Sequence, residues 1–186
     1  MSTAIITGSI TAVAYKERKS IAEQLLGATT IVIVDTSGSM DIRDSRGKRR
    51  RYDVACEELA KLQADNPGKL AVVSFSNSAY FCPGGVPIFL GGDTDLARAL
   101  QFVRSWDGTG LAFIVVSDGE PNDEQAALRE AQTFKSPIST VYVGPETDRS
   151  GALFLRRLAE MSGGKHATAD RVKELAETVK PMLTSS

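Results

Sequence analysis

The sequence predicts an α/β protein with a mostly parallel central sheet and helices on both faces, and three observations carry that expectation. Residues 31–34 read Ile-Val-Ile-Val, four consecutive β-branched aliphatics that suit a strand covered on both sides. Further short apolar runs follow at 70–75, 111–117 and 138–143. The segments between them carry apolar residues at helical spacing. Strands alternating with helices imply a doubly wound, Rossmann-like sheet, whose ligands sit at the carboxyl ends of the strands near a topological switch point.

Taken in order, residues 3–14 are rich in Ile, Thr and Val and read as one extended strand or a small hairpin. Ser20 and Glu23 form a capping box for a short helix through Ile21, Leu25 and Leu26, ended by Gly27. After the 31–34 strand comes a polar loop, 41–51. A helix follows with Tyr52, Ala55, Cys56, Leu59 and Leu62 along one stripe, stopped by Asn66-Pro67-Gly68. Leu70–Phe75 is a strand, and Val86–Leu90 reads as another. A helix from about Asp95 turns Leu96, Ala99, Leu100 and Val103 inward, and the strand 111–117 comes next. Pro121-Asn122-Asp123 opens a third helix with Ala127, Ala131 and Phe134 on its apolar face. The strand 138–143 leads to a helix holding Leu153 or Phe154, Leu158 and Met161, which Gly163-Gly164 terminates. Ala167-Thr168-Ala169 reads as a short edge strand, and a last helix carries Val172, Leu175, Val179 and Leu183, with Pro181 near its end.

Composition narrows the function classes. The length of 186 residues suits one domain with a full core. A net charge of −1 gives no general attraction to nucleic acid or to a membrane surface. Cys56 and Cys82 lack metal-type spacing and read as reduced thiols of a cytoplasmic protein. The N-terminus has no basic segment leading into an apolar one, and no run of 18 apolar residues occurs, so neither a signal peptide nor a membrane span is expected.

The chemistry begins where the first core strand ends. Residues 35–39, Asp-Thr-Ser-Gly-Ser, deliver one carboxylate and two hydroxyls at alternate positions. These are hard oxygen ligands, suited to Mg²⁺ or Mn²⁺ rather than to thiophilic ions. Further along stand Gly91-Gly92-Asp93-Thr94-Asp95-Leu96, opening a helix, and Ile114-Val115-Val116-Ser117-Asp118-Gly119, closing a strand. The spacing Asp-x-Ser-x-Ser, then a threonine after a glycine pair, then a strand-end aspartate resembles the metal-ion-dependent adhesion site (MIDAS) of von Willebrand factor A (VWA, integrin I-like) domains. The resemblance covers residues 28–183 in element order. In the family the threonine usually follows the glycine pair directly, and here Asp93 intervenes.

That resemblance implies a ligand set of Asp35, Ser37, Ser39, Thr94 and Asp118, holding Mg²⁺ or Mn²⁺ ahead of Ca²⁺. Hydroxyl ligands leave the ion electrophilic, with an open corner for an Asp or Glu of a partner protein. It also implies one antiparallel edge strand, formed by the 70–75 and 86–90 segments, and a VWA domain over 28–186. Residues 1–27 lie outside the usual core and read as an added edge element or an interface arm. Stand-alone bacterial and phage VWA proteins further suggest an adaptor or assembly role beside a MoxR-type AAA+ ATPase. Each ligand position also has an ordinary role: Asp35 and Asp118 as turn residues, Ser37 and Ser39 bonding to nearby backbone, and Thr94 as a helix cap.

Other features are less specific. Arg43, Arg46, Lys48, Arg49, Arg50 and Arg51 crowd the loop after Ser39, either steering an acidic partner or forming a solvated loop. No interleaved aromatics support nucleic-acid stacking there. His166 is the only histidine and reads as hydrogen-bonded or exposed, and Trp106 as packing. Glu120 and Asp123 either ring the site with negative charge or favour the next helix start.

The main expectation is therefore a binding module and not an enzyme. A Mg²⁺-dependent hydrolase or phosphoryl-transfer enzyme is the alternative, along with a structural phage or assembly component whose metal site is vestigial. A haloacid-dehalogenase-type phosphatase would need a second aspartate where Ser37 stands, and no phosphate-binding glycine loop or nucleophile elbow is present.

Overall fold

A computed structural model describes residues 5–145 and 149–168. It contains helices α1 (Ile10–Glu17) and α2 (Ile21–Leu25), strand β1 (Thr30–Asp35), helix α3 (Arg51–Asp65) and strands β2 (Leu70–Phe75) and β3 (Ala79–Phe81). Helix α4 (Leu96–Val103), strand β4 (Ala112–Ser117), helix α5 (Glu124–Gln132), strand β5 (Ile138–Tyr142), helix α6 (Ser150–Ser162) and strand β6 (His166–Thr168) complete it. The expected last helix, with Val172, Leu175, Val179, Pro181 and Leu183, lies outside the described residues.

The six strands run in the order β3-β2-β1-β4-β5-β6, all neighbours parallel except β2 and β3. Strand alternation sorts the core into two layers. Ile31, Ile33, Val73, Phe75, Phe113 and Val115 pack with α4, α5 and α6 on one face. Val32, Val34, Val72, Ile114 and Val116 pack with Ala55, Leu59 and Leu62 of α3 on the other. Phe75, Phe113, Ile33 and Leu100 are fully buried, each stabilising the fold by about 1.5–3 kcal/mol relative to exposure.

Side chains cap the starts of α2, α4 and α5, whereas α3 and α6 begin without a side-chain cap. Ser20 and Glu23 make the complete capping box of α2. The Asp95 carboxylate accepts from the Arg98 amide at the start of α4, and Asp123 accepts from Ala126 at the start of α5. Gly163 closes α6 in the left-handed conformation.

Two local expectations are corrected. A strand or hairpin was expected over 3–14, but residues 10–17 are helical; among the described residues of that segment only an isolated bridge, Ile5 to Gly85, is extended, and residues 3–4 lie outside the described residues. Strand-favouring residues suggested β structure, but Ile10, Val13 and Ala14 fall at helical spacing and are buried, and the Ser9 hydroxyl caps the helix by accepting from Ala12. The segment is therefore no sheet edge. The Gly68 amide donates to the Gly8 carbonyl and the Thr11 amide to the Pro83 carbonyl, stitching it onto two turns.

The antiparallel edge is β3, not 86–90. Residues 86–90 are irregular: Pro87 has no amide hydrogen, Ile88 donates to the Ser74 hydroxyl, and Leu90 donates to the Thr36 carbonyl. That path brings the glycine pair 91–92 to the end of β1.

Among the described residues no helix is long and apolar enough to cross a membrane. Gly8 has φ +82°, and a Cβ there would stand 1.9 Å from the Gln63 carbonyl oxygen. Gly8→Ala is expected to lower stability by about 2–3 kcal/mol, read as a lower urea midpoint with an unchanged slope. An unchanged midpoint would show that the N-terminal segment contributes nothing to the folded core.

Candidate metal centre

The strand order reverses direction at β1: the chain leaves it through α3 to β2 on one side and later returns to β4 on the other. The crevice between the carboxyl ends of β1 and β4 is the switch point where such sheets bind ligands. Asp35 ends β1 and Asp118 directly follows β4.

Asp35 is completely buried. Its Oδ1 accepts from the Ser37 amide at 2.9 Å, and its Oδ2 accepts from the Ser117 hydroxyl at 2.6 Å. Ser117 Oγ in turn accepts from the Gly119 amide at 3.0 Å. This network locks the β1 and β4 loops together. Ser37 Oγ lies 3.2 Å from Ser39 Oγ, so the two hydroxyls share one side of the turn.

The second loop is tied to the first through backbone. Leu90 and Gly91 amides both donate to the Thr36 carbonyl, and the Gly38 amide donates to the Gly92 carbonyl at 2.8 Å. Asp93 stays exposed, its amide held by Asn77 Oδ1, while Thr94 turns inward and is buried. The extra residue is thus absorbed in the glycine loop. Asp95, not Thr94, caps α4. The Thr94 amide donates to Asn122 Oδ1 at 3.1 Å and its carbonyl accepts from the Asn122 amide at 2.9 Å, which joins the second loop to the third.

Asp118 is 1% exposed, and its two oxygens differ. Oδ2 accepts from Arg51 Nη1 at 2.8 Å. Oδ1 is buried and has no hydrogen-bond partner among the described residues. Arg51 opens α3 and is gripped by Asp44, which accepts from Nε at 2.8 Å and from Nη2 at 2.6 Å. The bidentate bond to Arg51 holds the Asp44 carboxyl below its ordinary range.

Burial, and secondly the charge of Asp118, push the Asp35 carboxyl up to about 6, against the lowering effect of its bonds to Ser117 and Ser37. Two buried carboxylates therefore stand close enough to influence each other at the ends of adjacent strands, and the unpartnered Oδ1 belongs to one of them. A hard divalent cation fits this donor set of two carboxylates and three hydroxyls. No group of three or more His, Cys, Asp or Glu residues suited to a metal occurs among the described residues, so no other cluster of those types competes.

The basic run is not a uniformly solvated loop. Arg49 pairs with Glu57, Arg50 with Asp53 and Asp41, and Arg51 is buried. Arg51, Asp44, Ser117 and Asn122 escaped the sequence argument. Ser117 and Asn122 lie within four residues of the candidate ligand Asp118, and Arg51 adjoins the apolar stripe of α3, which were the signals available. Asp123 serves as the cap of α5.

His166 lies on β6, three strands from β1, with Nδ1 at 2.8 Å from Thr140 Oγ1. Burial, and then Arg156, push it down to about 4, so it is neutral at pH 7. Trp106 packs against the core as expected.

No family model matches the chain, and no curated protein matches it by sequence. Solved structures do match it. An aerotolerance-related membrane protein from Bacteroides fragilis superposes with a TM-score of 0.71 at 15% identity, over 86% of this chain and 100% of that one. A von Willebrand factor type A protein from Catenulispora acidiphila gives 0.59 at 20% identity, over 84% and 42%. The fold is of the VWA type. The manganese-loaded TRAP protein of Plasmodium vivax gives 0.58 at 16% identity, over 84% and 74%. The mostly parallel sheet with helices on both faces is as the sequence implied, and so is an antiparallel edge, although β3 and not 86–90 forms it.

The Asp35 carboxyl is raised on folding from 3.8 to about 6. A raised acid contributes stability below its unfolded value and loses it as pH climbs through the folded value. In EDTA the protein is expected to lose about 3 kcal/mol from this group between pH 4 and pH 7. Asp35→Asn should flatten that slope in denaturant titrations and be the more stable protein at pH 7. A wild-type slope that survives the substitution would locate the effect elsewhere.

Proposed function

We propose that this VWA-type chain is a metal-ion-dependent protein-binding module. Asp35, Ser37, Ser39, Thr94 and Asp118 would hold Mg²⁺ or Mn²⁺, directly or through water. The observation that carries this reading is Asp118 Oδ1, a buried carboxylate oxygen with no partner among the described residues, following the strand next to the one that a second buried carboxylate, Asp35, ends. A buried carboxylate oxygen left without a donor is costly, and a cation bound there would answer it. When bound, the ion would supply an electrophilic corner that accepts a carboxylate oxygen from outside.

The chain's own residues orient and fix that corner. Ser37 and Ser117 hold both Asp35 oxygens, and Asn122 holds Thr94 at backbone level. Little reorganisation is needed on binding, which favours specificity for an Asp or Glu of a partner protein. An AAA+ ATPase of the MoxR type is the partner class that VWA resemblance suggests. Free Cys56 and Cys82 accord with a cytoplasmic setting.

Hydrolysis or phosphoryl transfer is the weaker reading. The position that would donate a proton to a leaving group is Ser37, and His166 is three strands away.

Thermal melts in rising Mg²⁺ or Mn²⁺ test the metal. Wild type at one hundred times its dissociation constant gains about 2.7 kcal/mol, roughly 5–10 °C, whereas the double variant Asp35→Ala, Ser37→Ala gains nothing. Equal responses sink the metal centre. Capture from lysate with and without EDTA tests the partner: one retained in EDTA is not held through an ion.

A further inference from the structure

Arg51 is the buried cation at this centre, and its place is over-determined. The guanidinium is 7% exposed, its Nε and Nη2 are committed to Asp44, and only Nη1 reaches Asp118. Its backbone amide donates to the Ile42 carbonyl, so main chain as well as side chain fixes the fork. Asp118 is thereby gripped by one oxygen and leaves the other free.

The charges explain what the grip does. Asp35 and Asp118 place two negative charges in a dry crevice. Without a neighbouring cation they would drive the β1 and β4 loops apart. Arg51 offsets part of that repulsion from the side of Asp118, while Asp44, about a third exposed, prevents the guanidinium from swinging fully into the crevice.

Resting on the metal-binding reading above, we propose that Arg51 is a positioning residue and built-in counter-cation: it preassembles the centre before a metal arrives and holds the metal affinity down. Two effects oppose when it is removed. Asp118 loses one orienting bond, which weakens metal binding. A positive charge also leaves the neighbourhood of a divalent cation, which strengthens it. Charge repulsion through a dry site outweighs one hydrogen bond, so affinity rises.

The test compares wild type with Arg51→Met and Arg51→Lys by thermal melting in EDTA and by calorimetric titration with Mn²⁺. In EDTA, R51M is expected to melt about 10 °C below wild type. It should bind Mn²⁺ about tenfold more tightly. Saturating Mn²⁺ should close most of the gap in Tm. R51K keeps the charge without the fork and should stay within about twofold of the wild-type affinity. A purely structural arginine would lower stability and affinity together.

R51M that melts with wild type in EDTA, or that binds Mn²⁺ more weakly, overturns the proposal. So does an R51M chain that is unfolded in EDTA and stays unfolded when Mn²⁺ is added. Where wild type itself takes up no Mn²⁺, the metal-binding reading falls, and the EDTA arm decides Arg51 alone. A lower Tm for R51M, partly restored in R51K, then supports the counter-cation; equal values overturn it.

Discussion

Two carboxylates buried side by side at the ends of adjacent parallel strands set the terms for everything around them. Asp35 and Asp118 are each at most 1% exposed, and neither can be solvated in place. Isolated ionised groups in such surroundings are strongly unfavourable, so the fold has to supply donors or cations. It supplies Ser37 N–H and Ser117 O–H to Asp35, and Arg51 to one oxygen of Asp118. The remaining oxygen is the only part of this arrangement that the described protein atoms do not answer.

That constraint also accounts for the crowding of the surrounding backbone. A Cβ on Gly119 would stand 2.2 Å from the Gly151 carbonyl oxygen, and one on Gly151 would stand 2.1 Å from the Asp118 carbonyl oxygen. The start of α6 therefore presses on the Asp118 turn, and only glycine permits the approach. On the other side, Gly38 and Gly92 join the first and second loops by a backbone bond. Close-packed backbone on both flanks therefore supports the side-chain network from outside.

How much of this could be read in the sequence depended on whether a signal was local. The strand 31–34, the capping box of the second helix and the three loops of the candidate site declare themselves within a few residues, because periodicity and turn chemistry are short-range properties. The helix at 10–17 was masked by β-branched composition, although Ile10, Val13 and Ala14 carried the helical spacing. The edge strand 79–81 was missed since Tyr80 is exposed and the run is only three residues long, while Val86–Leu90 looked more strand-like and is disqualified by where its amides bond. Arg51 was illegible for a different reason. Six basic residues within nine positions look alike in sequence, and only tertiary contact separates the one that meets Asp118, 67 residues away, from neighbours that pair with acids in their own loop and helix.

The separation of roles within that loop bears on specificity. Arg49 and Arg50 are neutralised locally by Glu57, Asp53 and Asp41, so they add little long-range field to draw an acidic partner inward. A cation bound in the crevice would then be the stronger source of attraction, because low dielectric lets a single charge dominate there. A surface patch of unpaired arginines would attract any polyanion. On the proposed reading, a cation held among these hydroxyls would favour one carboxylate in one orientation, because only a group that fits its open corner would gain the full interaction, while Ile42, Ile88 and Phe89 leave exposed apolar side chains on the loops that follow Ser39 and precede the glycine pair. Discrimination in such a site would arise from geometry around one charge, and Arg49 and Arg50 serve it best by being already paired.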